Sequence, residues 1–157
     1  MSAPWVTVVG IVCAAAALVA DSAEPSGARL WTRADLQALD SALISQMGQA
    51  HTAFKQVLSG GTHGMLVIHR EVTADPELHE KLNDFFVVLD GEGAVKVGGM
   101  VSGARPLKPY EKLAQRLDGG TLYEVRQGDV LFVPANVWHQ VIVGEGKKLT
   151  AVLIKAE

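Results

Sequence analysis

Cysteine is nearly absent. The one cysteine among 157 residues, Cys13, lies inside the apolar run that opens the chain. If that run is removed as a leader, no thiol remains, which excludes thiol catalysis, disulfides and thiolate metal ligands and suits an oxidising compartment. Concentrated positive charge is missing too. The formal net charge is −3, and the one adjacent basic pair, Lys147-Lys148, is explained by a solvated turn, so nothing offers an electrostatic footprint for nucleic acid. Beyond the leader there are no internal repeats or low-complexity tracts. A chain of this length has room for one domain with a real core and too little for two.

The leader is read from Pro4 to Ala20, an almost uninterrupted apolar run closed by Ala20-Asp21-Ser22-Ala23 and the polar Glu24-Pro25-Ser26-Gly27. Small residues stand where an export signal is cleaved, after Ser22 or Ala23, so residues 1–23 read as a signal peptide and the mature protein as periplasmic or secreted, without stable membrane embedding. The usual basic start is missing, since no Lys or Arg precedes Arg29. An uncleaved anchor is the alternative, with a run at the short end of the roughly 17 to 25 residues that span a bilayer. Val12 is too large to precede a lipoprotein cleavage site at Cys13.

Residues 24–60 read as an extension carrying one helix. Thr32 can cap it with Asp35 at the third position, Leu36, Leu39, Leu43 and Met47 recur at spacings of three and four, and Gly48 ends it. Residues 61–157 read as the main domain, made of strands separated by glycine-containing turns. The candidate strands are Met65–Val72, Phe85–Leu89, Ala94–Val97, Leu122–Arg126, Val130–Val133, Trp138–Val143 and Leu149–Ile154. Short strands without intervening helices indicate an all-β sandwich or barrel. The connection between Gly98 and Gly120 is long enough to cover a cavity mouth.

Two segments carry a family resemblance. Gly128-DVLFV-Pro134-Ala135-Asn136-Val137-Trp138-His139 follows the second motif of the cupin family, with Asn136 in place of its second glycine. Asparagine is the residue, glycine aside, that most readily accepts a left-handed turn. Val143 stands where an asparagine often follows. The stretch ELHEKLNDFFVVLDG resembles the first motif, with Asp84 seven residues before Gly91, His79 on the second histidine, Glu77 on the first, and Glu71 in place of the opening glycine. The resemblance covers roughly Met65 to Ile154. It implies an all-β double-stranded β-helix, or jelly-roll barrel, with the N-terminal helix as an addition. It further implies a divalent metal (Mn, Fe or Zn) on Glu77, His79, Asp84 and His139, a small organic substrate or ligand, and a homodimer paired through its sheets.

The residues themselves agree with such a site. Glu77 and His79 are two apart, hence on one face of a strand, and a barrel makes one face interior. Two carboxylates and two neutral imidazoles balance a divalent ion and suit manganese, iron(II) or zinc better than a soft metal. The competing assignments are a solvated loop carboxylate for Glu77 and an Asx turn for Asp84. His69 and Arg70 are neighbours on a strand and face opposite ways, so one of them looks inward and can orient an anionic or carbonyl group. His51 and His63 read as surface residues, and Phe85, Phe86, Phe132 and Trp138 as core or cavity wall. A metal-dependent dioxygenase, isomerase or lyase is the first functional expectation. A non-catalytic small-ligand-binding barrel, or a structural barrel whose polar cluster is a hydrogen-bonded network, are the others.

Overall fold

The computed structural model describes residues 27–157. The expected signal peptide, residues 1–23, lies outside the described residues. The helix α1 (Arg33–Gln46) opens with a capping box in which Asp35 N–H donates to Thr32 Oγ1 and Thr32 N–H donates to the Asp35 carboxylate at 2.9 Å. A 3-10 turn (Gly48–Ala50) follows. The strands are β1 (Thr52–Ser59), β2 (His63–Arg70), β3 (Glu77–His79), β4 (Asn83–Val97), β5 (Met100–Ser102), β6 (Arg105–Lys108), β7 (Glu111–Leu113), β8 (Arg116–Asp118), β9 (Thr121–Arg126), β10 (Val130–Val133), β11 (His139–Ile142) and β12 (Leu149–Ala156).

Every strand pair is antiparallel, and β4 belongs to both layers. Its first half lies between β12 and β10, in the layer β1-β2-β12-β4-β10. Its second half lies between β9 and β11, in the layer that continues through β3 and β7 to β6. The corner falls at Leu89–Gly91, where the pairing with β12 slips by one residue and Gly91 takes φ 79°. A bulge bends a strand and increases its twist, which is how one strand feeds two sheets. A side chain at Gly91 would run into the Lys148 carbonyl, so the bend requires glycine. The expected strands Phe85–Leu89 and Ala94–Val97 are therefore one strand, and the Asp-Gly-Glu-Gly between them is a bend.

Alternation along the strands sorts the core into two. Phe86, Val88, Val95, Val133, Val141, Leu149, Ala151 and Leu153 fill the space between the layers. Val67 and Val152 point the other way and meet Leu43 with Leu36 and Leu39 beside it, so α1 covers the outer face of the first layer. Full burial of such a side chain contributes about 1.5–3 kcal/mol.

Two expectations are corrected. Strand β1 lies in the segment 24–60 read as an extension, so the sheet begins before residue 61; Lys55-Gln56 interrupts its apolar pattern, and its pairing with β2 makes it a strand. The connection from Gly98 to Gly120 holds β5 to β8, of which β6 and β7 extend the second layer.

Candidate metal centre

Three strands deliver the four expected residues to one point. Glu77 and His79 share one face of β3, Asp84 stands on β4, and His139 opens β11 directly opposite Glu77. The turn between β10 and β11 sets His139 in place. Asn136 takes φ 60° and its N–H donates to the His79 carbonyl at 2.7 Å. Ala135 N–H donates to Asn83 Oδ1 at 3.0 Å, which ties this turn to the start of β4, while Asp84 faces the two histidines. Glu77 is held in a strand between β7 and β11 and is not a loop carboxylate.

One ligand atom from each of the four residues lies within 4.8 Å of all the others. His139 Nε2 is 3.2 Å from Asp84 Oδ2 and 3.4 Å from Glu77 Oε1; His79 Nε2 is 3.3 Å from Asp84 Oδ2 and 3.5 Å from Glu77 Oε2. Ligands about 2.1 Å from a common ion are separated by roughly 3.0–3.4 Å along a coordination edge, so these spacings suit a shared cation. The tautomer agrees. His139 Nδ1–H donates to the Val137 carbonyl at 3.1 Å, which leaves the Nε2 lone pair pointing at two carboxylates. Both Nε2 of His139 and Oδ2 of Asp84 are buried without a hydrogen-bond partner. An acceptor nitrogen buried against carboxylate oxygens is repulsive until a proton or metal ion stands between them.

Protonation follows the same logic. Burial opposes a charge on His139, but the facing carboxylates of Asp84 and Glu77 outweigh it and push its pKa up to about 9. Burial likewise opposes ionisation of Glu77, yet His139 and His79 hold its carboxyl well below the usual range. Asp84 is lowered too, against burial, by His139 and Lys155. The Phe86 and His139 rings stand nearly perpendicular with centroids 6.1 Å apart.

His69 and Arg70 separate as alternation requires. His69 is fully buried on the helix side, where Nδ1 meets Asp40 Oδ1 of α1 at 2.7 Å and Thr150 Oγ1 at 2.9 Å. Arg70 faces inward and, with Ile68, Glu77, Phe86 and Val141, lines a cavity of about 20 Å³. His51 is exposed and pairs with Glu71 at 3.0 Å; His63 is exposed as well. A larger concavity of about 550 Å³, bordered by Glu92, Leu122, Arg126 and Asp129, contains none of the four residues.

No protein-family model matches the sequence, and no curated protein matches it. Solved structures do match. A conserved protein with a double-stranded beta-helix domain from Klebsiella pneumoniae aligns with TM-score 0.57 at 13% identity, over 82% of this chain and 90% of that one. The cupin domain of Cnp3 from Schizosaccharomyces pombe aligns with TM-score 0.52 at 12% identity, over 69% and 66%. DMSP lyase DddQ from Ruegeria pomeroyi aligns with TM-score 0.51 at 12% identity, over 71% of this chain and 50% of that one. The chain has the cupin fold. It spans half the length of the lyase and about two thirds of the yeast domain.

Two residues join the centre that sequence reasoning passed over. Lys155 Nζ lies 2.6 Å from His79 Nε2 and 2.8 Å from Asp84 Oδ1. The strand was expected to stop at Ile154, but Ala151 and Leu153 face inward, and the same alternation carried two residues on would have turned Lys155 inward. Glu111 on β7 brings Oε2 to 3.7 Å from His79 Nδ1. Its segment read as a connection, and no local signal marked it.

Proposed function

We propose that this cupin binds a divalent metal, manganese, iron(II) or zinc, through Glu77, His79, Asp84 and His139, and acts on a small organic molecule. The observation that carries this reading is the unpartnered pair of His139 Nε2 and Asp84 Oδ2, buried 3.2 Å apart in a set of two carboxylates and two imidazoles. When bound, such an ion supplies Lewis acidity toward an oxygen of the substrate, a hydroxide from water at neutral pH, or a site for dioxygen.

The chain's own residues then have distinct tasks. His139 is oriented by the Val137 carbonyl, and the Glu111 carboxylate lies 3.7 Å from the buried His79 Nδ1 as a charge neighbour without a hydrogen bond. Phe86 packs against the His139 ring as an apolar neighbour. Asp84, His79 and His139 are buried, whereas the Glu77 side chain is 28% and the Lys155 side chain 17% exposed, so the open approach passes these two. The cavity of about 20 Å³ holds roughly one water, so an organic molecule binds at that approach and not in the barrel floor. Arg70, on the cavity wall beside Glu77, is placed to orient an anionic or carbonyl group, and the His69 first paired with it in this role serves the helix interface instead.

Oxygenase, isomerase and lyase chemistry are all compatible with such a centre, and the fold houses a lyase in one of its neighbours. Export by the N-terminal leader, to the periplasm or outside, and pairing into a homodimer complete the reading. The two substituted positions of the first motif, Glu77 and Asp84, also favour a second possibility, a cupin that holds a ligand without turning it over.

Metal analysis of protein purified from its native compartment tests the proposal. One equivalent of metal is expected, lost in His79→Ala and His139→Ala variants that still fold. Metal-free wild-type protein would refute it. A metal-loaded protein that binds small carboxylates or sugars but converts nothing in a broad substrate screen would favour the second reading.

A further inference from the structure

The centre already contains a cation. Lys155 stands directly opposite Asp84 in the β12–β4 register, and its ammonium donates to His79 Nε2 and Asp84 Oδ1. An imidazole nitrogen has one lone pair in its ring plane. His79 Nε2 can therefore accept from Lys155 or bind a metal ion, and it cannot do both. Its other nitrogen offers no substitute, because Nδ1 is buried and faces Glu111 on the opposite side of the ring from Glu77 and Asp84. The two oxygens of Asp84 are differently engaged. Oδ1 accepts from Lys155, and Oδ2 is unpartnered and points to both histidines.

We infer that Lys155 is the resident, exchangeable cation of the centre: a divalent metal displaces its ammonium from His79 Nε2 while the ammonium keeps its hydrogen bond to Asp84 Oδ1. This inference rests on the metal reading above. In the metal-free protein Lys155 offsets part of the charge of Glu77 and Asp84, which would otherwise be buried together with only the histidines to balance them. With metal bound, the ammonium pivots about Asp84 Oδ1 to the open side of the ion. There it places N–H donors beside any oxygen ligand that takes a vacant coordination position, which selects for ligands with an anionic oxygen. Lys155 is thus a positioning residue that both weakens metal binding and favours anionic ligands on the bound ion.

The test is calorimetric titration of the full chain with zinc(II), comparing wild type with Lys155→Met, which keeps the unbranched side chain up to Cε and removes the ammonium. The variant is expected to bind zinc about tenfold more tightly or better, the order set by removing one adjacent positive charge and a competitor for the ligand atom. On the zinc-loaded proteins, acetate is expected to bind more weakly to the variant than to wild type by a similar factor, a difference that a merely structural lysine would not produce. A second measurement needs no variant. In wild type labelled with 15N at both lysine and histidine, zinc should abolish the hydrogen-bond coupling between Lys155 Nζ and His79 Nε2 while metal coordination appears at the same histidine nitrogen.

Equal or weaker zinc affinity in Lys155→Met overturns the inference, as does a Lys155–His79 hydrogen bond that persists with zinc bound. If neither wild type nor variant binds zinc, manganese or iron(II), the metal reading has failed and this inference falls with it. If both bind with the same constant, the metal reading stands and the role of Lys155 alone is refuted.

Discussion

Metal affinity should climb steeply with pH, and His139 sets how steeply. Its pKa is pushed up to about 9 from an ordinary value of 6.5, so at neutral pH the metal-free centre holds a proton on Nε2. A metal ion must expel that proton, and each unit of pH below the raised pKa then costs about 1.4 kcal/mol, or tenfold in affinity. Over the full interval of about 2.5 units the loss is roughly 300-fold, on the order of 3 kcal/mol. Glu77 and Asp84 do not contribute to this slope. Both are held below the usual carboxylate range, hence ionised throughout. Titration of the purified protein with manganese(II) between pH 6.5 and 8.5 should give log affinity rising by about one per pH unit. Repeating the titration at pH 7 in two buffers of different ionisation enthalpy should show about one proton released per metal. An affinity that stays flat across that range, with no proton release, would mean that His139 Nε2 is not the nitrogen the metal takes.

The same proton governs the metal-free fold. A histidine whose folded pKa is raised stabilises fully below its unfolded value near 6.5, and that contribution disappears as pH passes through about 9. Thermal melts of metal-free protein should accordingly fall between pH 6.5 and 9, and saturating metal should remove most of the fall; a melting temperature that rises over this range contradicts the assignment. Gly91→Ala should cost about 2 kcal/mol or more in denaturant unfolding, because φ 79° and the Lys148 carbonyl both oppose a side chain there; a cost under 0.5 kcal/mol would show that the corner is not tightly built. Asp40→Ala should cost about 1–3 kcal/mol by leaving His69 Nδ1 and Thr150 Oγ1 with one partner fewer, while zinc affinity is unchanged. A large change in zinc affinity would instead connect the helix to the centre.

Much of this protein was legible without coordinates wherever the signal was local. The Thr32–Asp35 capping box, the leucine stripe of α1 and the left-handed turn at Asn136 depend on residues within a few positions of each other, and each took the expected form. The spacing of Glu77 and His79 put them on one face for the same reason. Local rules failed where pairing decides. Strand β1 has a broken apolar pattern and is a strand because β2 lies beside it; β5 to β8 are too short to show a period and are held by their hairpins.

Sequence alone determined the residue types of the centre: no thiol in the barrel, two histidines and two carboxylates spaced so that alternating strands could bring them inward. Tertiary structure decided everything that depends on distance. It turned Asp84 toward the two histidines and tied Asn83 to the distant Ala135, assigned His69 to the helix and Arg70 to the cavity, and brought in Lys155 and Glu111 from strands whose sequences carry no motif. The physical reason is that a side chain's direction is set by its own strand, whereas its partners are set by which strands pair. Where two layers share the strand β4, partners such as Lys155 and His79 come from segments 76 residues apart.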